Sequence, residues 1–276
     1  MGHGTGILVE DDVNGSGTFL LTCYHVAIGR QPRDPAKTAR DIRDSPDELQ
    51  WRLLRRTRDK VWYPEPGGIQ IDESVRFIEH RGRVDGIDLV AIRVGLSEDL
   101  VTYPIKVSEI AGGSSRMAGT SLAIVGFPFD EQTDNFLPIC KGALVASESA
   151  VASQGVGLYL VDGLTRPGMS GSPIYTVDHV PWVRVDEETA NLFRGQDRGE
   201  LSPLELVKRV DPSKLQGETF TAPQFAFAGI YCGRMTDGDE AQLSLGIAVG
   251  PAAVAELFND PVVAQHPYPP APPGST

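Results

Sequence analysis

The chain of 276 residues carries a formal net charge of −12 and a pI near 4.9, with 41% hydrophobic residues. That length buries a core without disulfide or metal staples, and the acidity excludes the basic footprint of a nucleic-acid binder. No apolar run approaches the ~20 residues of a membrane span, and 30 glycines with 21 prolines favour short strands over long helices. In chain order, Gly6–Glu10 and Thr18–Thr22 read as strands of a hairpin around Asn14-Gly15-Ser16-Gly17. Residues 30–60 then hold ten basic and six acidic side chains. Within them Ser45-Pro46-Asp47-Glu48 spells a capping box with proline in the first turn, and Leu49 and Leu53 follow four apart. This spelling predicts a helix over 46–58. Its arginines form a solvated face or, in the sharper reading, a dock for an acidic partner.

Strands are predicted again at Ser74–His80, Leu89–Arg93, Ser121–Phe127, Gly142–Ser147 and Leu158–Asp162, with Gly112–Ser115 as a break between lobes. Ser172–Thr176, Phe225–Tyr231 and Leu245–Val249 complete the set. Between Asp178 and Pro223 lies a second charged excursion, where Ser202-Pro203-Leu204-Glu205 repeats the capping-box spelling. Pro251–Phe258 reads as a closing helix. Residues 261–276 hold six prolines and read as a linker or disordered tail. Three cysteines, Cys23, Cys140 and Cys232, with no C-x-x-C, argue against a disulfide framework and a structural zinc site. No signal peptide is visible, so a cytoplasmic protein is expected. No metal or cofactor is expected.

Three segments carry chemistry. Leu20-Leu21-Thr22-Cys23-Tyr24-His25-Val26 places a histidine just after a strand. Asp85-Gly86-Ile87-Asp88-Leu89-Val90 places an aspartate just before one. Pro167-Gly168-Met169-Ser170-Gly171-Ser172-Pro173 places a serine in a glycine-flanked loop. A serine hydroxyl needs a base within hydrogen-bond reach, histidine supplies one near neutral pH, and a buried aspartate fixes its tautomer. Asp88 is preferred to Asp85 because Leu89–Ile92 continue directly as an apolar strand. The serine motif is not the G-x-S-x-G elbow, since Ser172 stands at the last glycine, and the order of residues differs from that of α/β-hydrolases. Cys23 and Cys232 read as small buried hydrophobes.

The order His25, Asp88, Ser170 with these flanks resembles the chymotrypsin-like (trypsin-like) serine proteases, nearest to bacterial HtrA/Deg-type and glutamyl-endopeptidase-like domains. The resemblance extends over most of residues 4–258 and includes Gly4-Thr5-Gly6-Ile7-Leu8-Val9, Ala123–Phe129, Gly229-Ile230 and Gly246-Ile247-Ala248-Val249. It implies an all-β fold of two six-stranded antiparallel β-barrels, a C-terminal helix and two partly helical insertions. The first barrel would span 1–112 (insertion 29–70), the second 113–260 (insertion 178–223), and the tail 261–276. It also implies a serine endopeptidase with an oxyanion hole at the Gly168 and Ser170 amides. The strand through Tyr231, Cys232 and Gly233 would pair with the substrate backbone.

Leu164, six residues before Ser170, falls where the family places the base of the specificity pocket. With Thr165, Tyr231 and Gly246 it implies an apolar residue before the cleaved bond, while Arg166 and Arg234 leave acidic residues open. Met169 occupies the position where secreted relatives carry the aspartate that pairs with a freed N-terminus. The resemblance therefore implies a protease that is constitutively shaped or switched by a partner. The expected partners are a protein or peptide substrate and a regulatory protein or further domains joined through the proline-rich tail. This fits an effector protease of a bacterial signalling or defence system. The alternative is a catalytically silent peptide-binding module.

Overall fold

In the computed structural model, residues 3–39, 46, 48–56, 62–70, 77–96, 102–110, 117–128, 137–147, 157–197, 200–212, 219–234 and 245–264 are described. They form fourteen strands and five short α-helices, so the fold is all-β with helical additions. The chain divides into two compact units, one of Met1–Thr176 with Ala226–Thr276 and one of Val177–Phe225.

The larger unit holds two six-stranded sheets. The first runs β14 (Val262–Ala264), β5 (Phe77–Glu79), β6 (Val90–Arg93), β2 (Gly17–Thr22), β1 (Ile7–Asp11) and β7 (Ile105–Lys106). Its neighbours are antiparallel except for the parallel pair β1–β7. Its six strands are consistent with the first barrel that the resemblance implied. The second sheet is a closed barrel in the order β10 (Leu158–Asp162), β13 (Leu245–Val249), β12 (Thr219–Arg234), β11 (Ser172–Val183), β8 (Ser121–Gly126) and β9 (Ile139–Val145).

Strand β12 supplies two cores at once. Ile230 and Cys232 join Val9, Phe19, Leu21, Ile87 and Leu89 in one cluster, while Ala228 and Tyr231 join Ile124, Val161, Met169 and Ile174 in the other. A register shift between Tyr231 and Gly233 makes Cys232 the bulged residue. Helix α5 (Pro251–Asn259) buries Val254, Leu257 and Phe258, each contributing about 1.5–3 kcal/mol, and sets Phe258 edge-on to Phe19 at 5.5 Å. The chain then returns to the first sheet as β14. The expectation of a linker over 261–276 is therefore corrected for Val262–Ala264, whose apolar residues pair with Phe77–Glu79.

The predicted helix over 46–58 is also corrected. Glu48–Arg56 is strand β3, paired along its length with β4 (Trp62–Gln70). Glu48, Gln50 and Arg52 are exposed, and Leu49, Trp51 and Leu53 are partly buried, the period-two pattern of a strand. Trp51 faces Gly67 across the hairpin and lies where a Cβ on that residue would stand. The Gly112–Ser115 break lies outside the described residues, as do Ser74–Arg76 of the predicted third strand.

The smaller unit contains α3 (Glu187–Asp197) and α4 (Pro203–Arg209). Here the capping box forms as spelled: Ser202 Oγ accepts from Glu205 N at 3.3 Å, and Ser202 N donates to Glu205 Oε2 at 3.0 Å.

Candidate active site

Helix α1 (Tyr24–Ile28) is a single turn that starts where β2 ends, with Cys23 as its N-cap and Gly29 closing it in the left-handed region. That turn carries His25 to Asp88, which stands just before β6. His25 N donates to Asp88 Oδ1 at 3.0 Å, and His25 Nδ1 lies 2.5 Å from Asp88 Oδ2. Asp88 is thereby gripped through both oxygens, and Nε2 is left as the ring's free acceptor in the neutral state. Burial alone would pull His25 down. The charge of Asp88 and its hydrogen bond outweigh this, so the imidazole titrates above its ordinary 6.5. Asp85, the competing aspartate, instead offers its carbonyl oxygen to Arg33 at 3.1 Å.

Ser170 sits between two glycines in the left-handed region, Gly168 at φ 90° and Gly171 at φ 88°. Gly171 has no room for a side chain, because a Cβ there would collide with Thr5 O and Thr22 Oγ1. The loop is tied down from outside. Thr5 N donates to Ser170 O at 2.8 Å, Thr5 Oγ1 donates to Gly168 O at 2.9 Å, and Gly171 N donates to Tyr231 O at 2.8 Å. Phe127 N completes the tie by donating to Thr5 Oγ1 at 3.1 Å. Among the described residues the amides of Gly168 and Ser170 make no hydrogen bond. Met169 is fully buried.

The bulge at Cys232 brings the two halves together. Ser170 Oγ donates to Cys232 O at 3.3 Å, while Cys232 Sγ lies 3.6 Å from Asp88 O. Gly233 follows at φ 145°, and a Cβ there would stand 4.0 Å from Ser170 Oγ. Glycine therefore keeps the space beside the serine open. Thr165 Oγ1 and Tyr231 Oη are paired at 2.5 Å, both residues are buried, and the Tyr231 ring fills the space beside Gly246. Burial pushes the Tyr231 phenol up to about 12, so it stays protonated. Leu164 is not at the base of a pocket; it is 68% exposed. Arg166 and Arg234 are exposed as well.

A family profile for the trypsin-like peptidase domain matches residues 4–180, a span that contains His25, Asp88 and Ser170. The chain belongs to this family. Among solved structures, the trypsin-like peptidase domain is similar to the Rv3671c protease in its inactive form, at 13% identity over 93% of this chain and 82% of that one, with a TM-score of 0.41. A second inactive form of Rv3671c, from M. tuberculosis H37Rv, matches at 13% identity over 93% and 80% with a TM-score of 0.40. Kallikrein-related peptidase 10 matches at 14% over 93% and 88% with a TM-score of 0.39. No curated protein matches the chain.

Sequence reasoning treated Thr5 of the peptidase domain only as part of an opening strand. Its two hydrogen bonds to the serine loop join residues as many as 165 positions apart, and a short polar residue near the start of a chain gives no sign of that. Cys23 was read as a core filler. It is buried, but its Sγ donates to Tyr231 O at 3.4 Å, the same carbonyl that receives Gly171 N.

Proposed function

We propose that the chain is a serine endopeptidase in which Ser170 attacks the peptide carbonyl, His25 is general base and then acid, and Asp88 orients His25. The observation that carries this reading is the two-point grip of Asp88 on His25, which leaves Nε2 as the proton acceptor. Ser170 Oγ gives its proton to Nε2 as it bonds to the carbonyl carbon. The oxyanion collects at the Gly168 and Ser170 amides, and the imidazolium returns the proton to the leaving amine, producing an acyl-enzyme. Water then repeats the sequence and releases the acid.

In the resting arrangement the Ser170 hydroxyl donates to the Cys232 carbonyl. Reaction requires it to turn to Nε2, a rotation about one bond; the reading of an effector protease governed by a regulatory partner or further domain is supported instead by Met169, which stands where relatives carry the aspartate that pairs with a freed N-terminus. The buried Tyr231–Thr165 pair beside Gly246 supports a preference for an apolar residue before the cleaved bond. A peptide-library profile dominated by lysine or arginine would contradict that preference.

The full chain incubated with a fluorophosphonate probe should carry the label on Ser170, mapped by peptide mass, and Ser170→Ala should carry none. Labelling that survives the substitution overturns the nucleophile. Absence of labelling in the parent, alone and with its gene neighbours, favours the silent peptide-binding module.

A further inference from the structure

Directly against the His25–Asp88 pair lie two thiols that peptide hydrolysis does not use. Cys23 Sγ, Cys232 Sγ and an Asp88 carboxylate oxygen all lie within 4.8 Å of one another, and all three residues are buried. They arrive from three separate elements: the cap of α1, the lead-in to β6 and the bulge of β12. Both thiols are free. Their hydrogen bonds are long, 3.4 Å from Cys23 to Tyr231 O and 3.6 and 3.7 Å from Cys232 to Asp88 O and Ile230 O, and thiols are weak donors. Nothing in these contacts requires sulfur.

We propose that Cys23, Cys232 and Asp88 form a binding site for a thiophilic divalent cation such as Zn²⁺ or Cd²⁺, and that filling it holds proteolysis off. Two sulfurs and one oxygen suit such an ion. Tetrahedral ligation with metal–sulfur bonds of about 2.3 Å sets the sulfurs roughly 3.8 Å apart, so the cluster needs only a small contraction. Burial pushes both thiols up, so they are protonated in the metal-free chain. Binding exchanges two S–H protons, released to solvent, for two metal–thiolate bonds, and a water completes the coordination. No electrons move. The two thiolates neutralise the dication, and the Asp88 carboxylate, drawn to it, gives up its two-point grip on His25. Because the cluster is buried, entry requires local opening and is slow. The site itself stands on geometry alone; its effect on proteolysis rests on the roles proposed above for His25 and Asp88.

Cadmium chloride is titrated into the full chain carrying Cys140→Ala, which removes the exposed third thiol, with thiols kept reduced by a phosphine. The ultraviolet cadmium–thiolate charge-transfer band and the rate of fluorophosphonate labelling are read separately. One equivalent should bring in the band and slow labelling by a factor on the order of 10³ or more, the scale of losing the aspartate's hold on histidine, and a chelator should reverse both. Cys23→Ala should lose the band and be labelled equally with and without cadmium. Should that variant fail to fold, Cys232→Ala is read for the band alone and should lose it. No band in the parent after prolonged incubation, or an undiminished band in the folded variants, overturns the site. A band without slowed labelling overturns its inhibitory role. A parent that is never labelled sinks the protease reading while the band still decides the site.

Discussion

Beside the first sheet, on α1 and in the lead-in to β6, His25 and Asp88 hold each other, with a backbone amide and a ring nitrogen both reaching one carboxylate across 63 positions of sequence. In the barrel Ser170 has no such mutual partner. Its loop takes its shape from glycines and from hydrogen bonds to Thr5 and Tyr231, residues that belong to other segments. The proposed acid–base half is thus pre-assembled by a short-range pair, whereas the proposed nucleophile half depends on what is docked against it. A partner seeking to control such a protease has more leverage over the second half. Displacing Thr5 reshapes the serine loop, while the His25–Asp88 pair resists small shifts because burial strengthens it.

Four substitutions test this contrast, beginning with the strongest. Ser170→Ala should reduce turnover about 10⁶-fold with the melting temperature unchanged, since the hydroxyl has one weak partner; a large drop in melting temperature would mean that the serine serves the fold instead. Asp88→Asn should cost about 10⁴-fold in the rate of labelling and alter its pH dependence. In the parent the rate rises with pH through the His25 value, which Asp88 holds above 6.5. Without that charge burial prevails, and the rising limb moves to lower pH. A limb that stays in place would detach Asp88 from His25. The same pair bears on stability. A raised imidazole value stabilises the fold most below the unfolded value near 6.5, and this contribution fades as pH climbs through the folded value. Denaturant midpoints measured across that window should show the fade in the parent and lose it in Asp88→Asn.

Thr5→Val probes the nucleophile half. It removes the donor to Gly168 O and the acceptor for Phe127 N, at about 1–3 kcal/mol for each buried group left unpaired. It should slow labelling by about 10²-fold through misplacement of the loop while leaving the His25 pH limb untouched. Equal disturbance of that limb would erase the distinction between the halves. The smallest effect is expected at Ser202→Ala, which removes the α4 cap for about 1 kcal/mol and should be seen in denaturant melts with labelling unaffected.

Strands were legible where alternation and turns agreed: Leu158–Asp162 and Leu245–Val249 run as predicted. The two S-P-x-E spellings show the limit. Ser202-Pro203-Leu204-Glu205 opens a helix, whereas Ser45-Pro46-Asp47-Glu48 runs into a strand. Leu49 and Leu53, four apart, share a face in either state. Trp51, between them, shares it only in a strand, and its partner Gly67 lies in another segment. The tertiary pairing thus overrode a local cap. At the site, the residues were visible because each sits at a strand end beside a turn signal. Leu164 was misplaced because a position relative to Ser170 does not fix which way a side chain points. The thiol cluster was invisible for a simpler reason: Cys232 reaches Asp88 across 144 positions, and only the barrel's bulge sets them side by side.

The return of the chain to the first sheet has a bearing on how the protein is made. Strand β14 pairs with β5, Phe258 packs on Phe19, and Asn14 Nδ2 donates to Phe258 O at 3.1 Å. The edge of the first sheet at β5 therefore stays open until Val262–Ala264 have been translated, after the strands of the barrel. A nascent chain stalled before Val262 holds His25, Asp88 and Ser170 in its sequence but not the strand that covers β5. Translation order itself thus leaves the first sheet unfinished until the barrel's strands have left the ribosome.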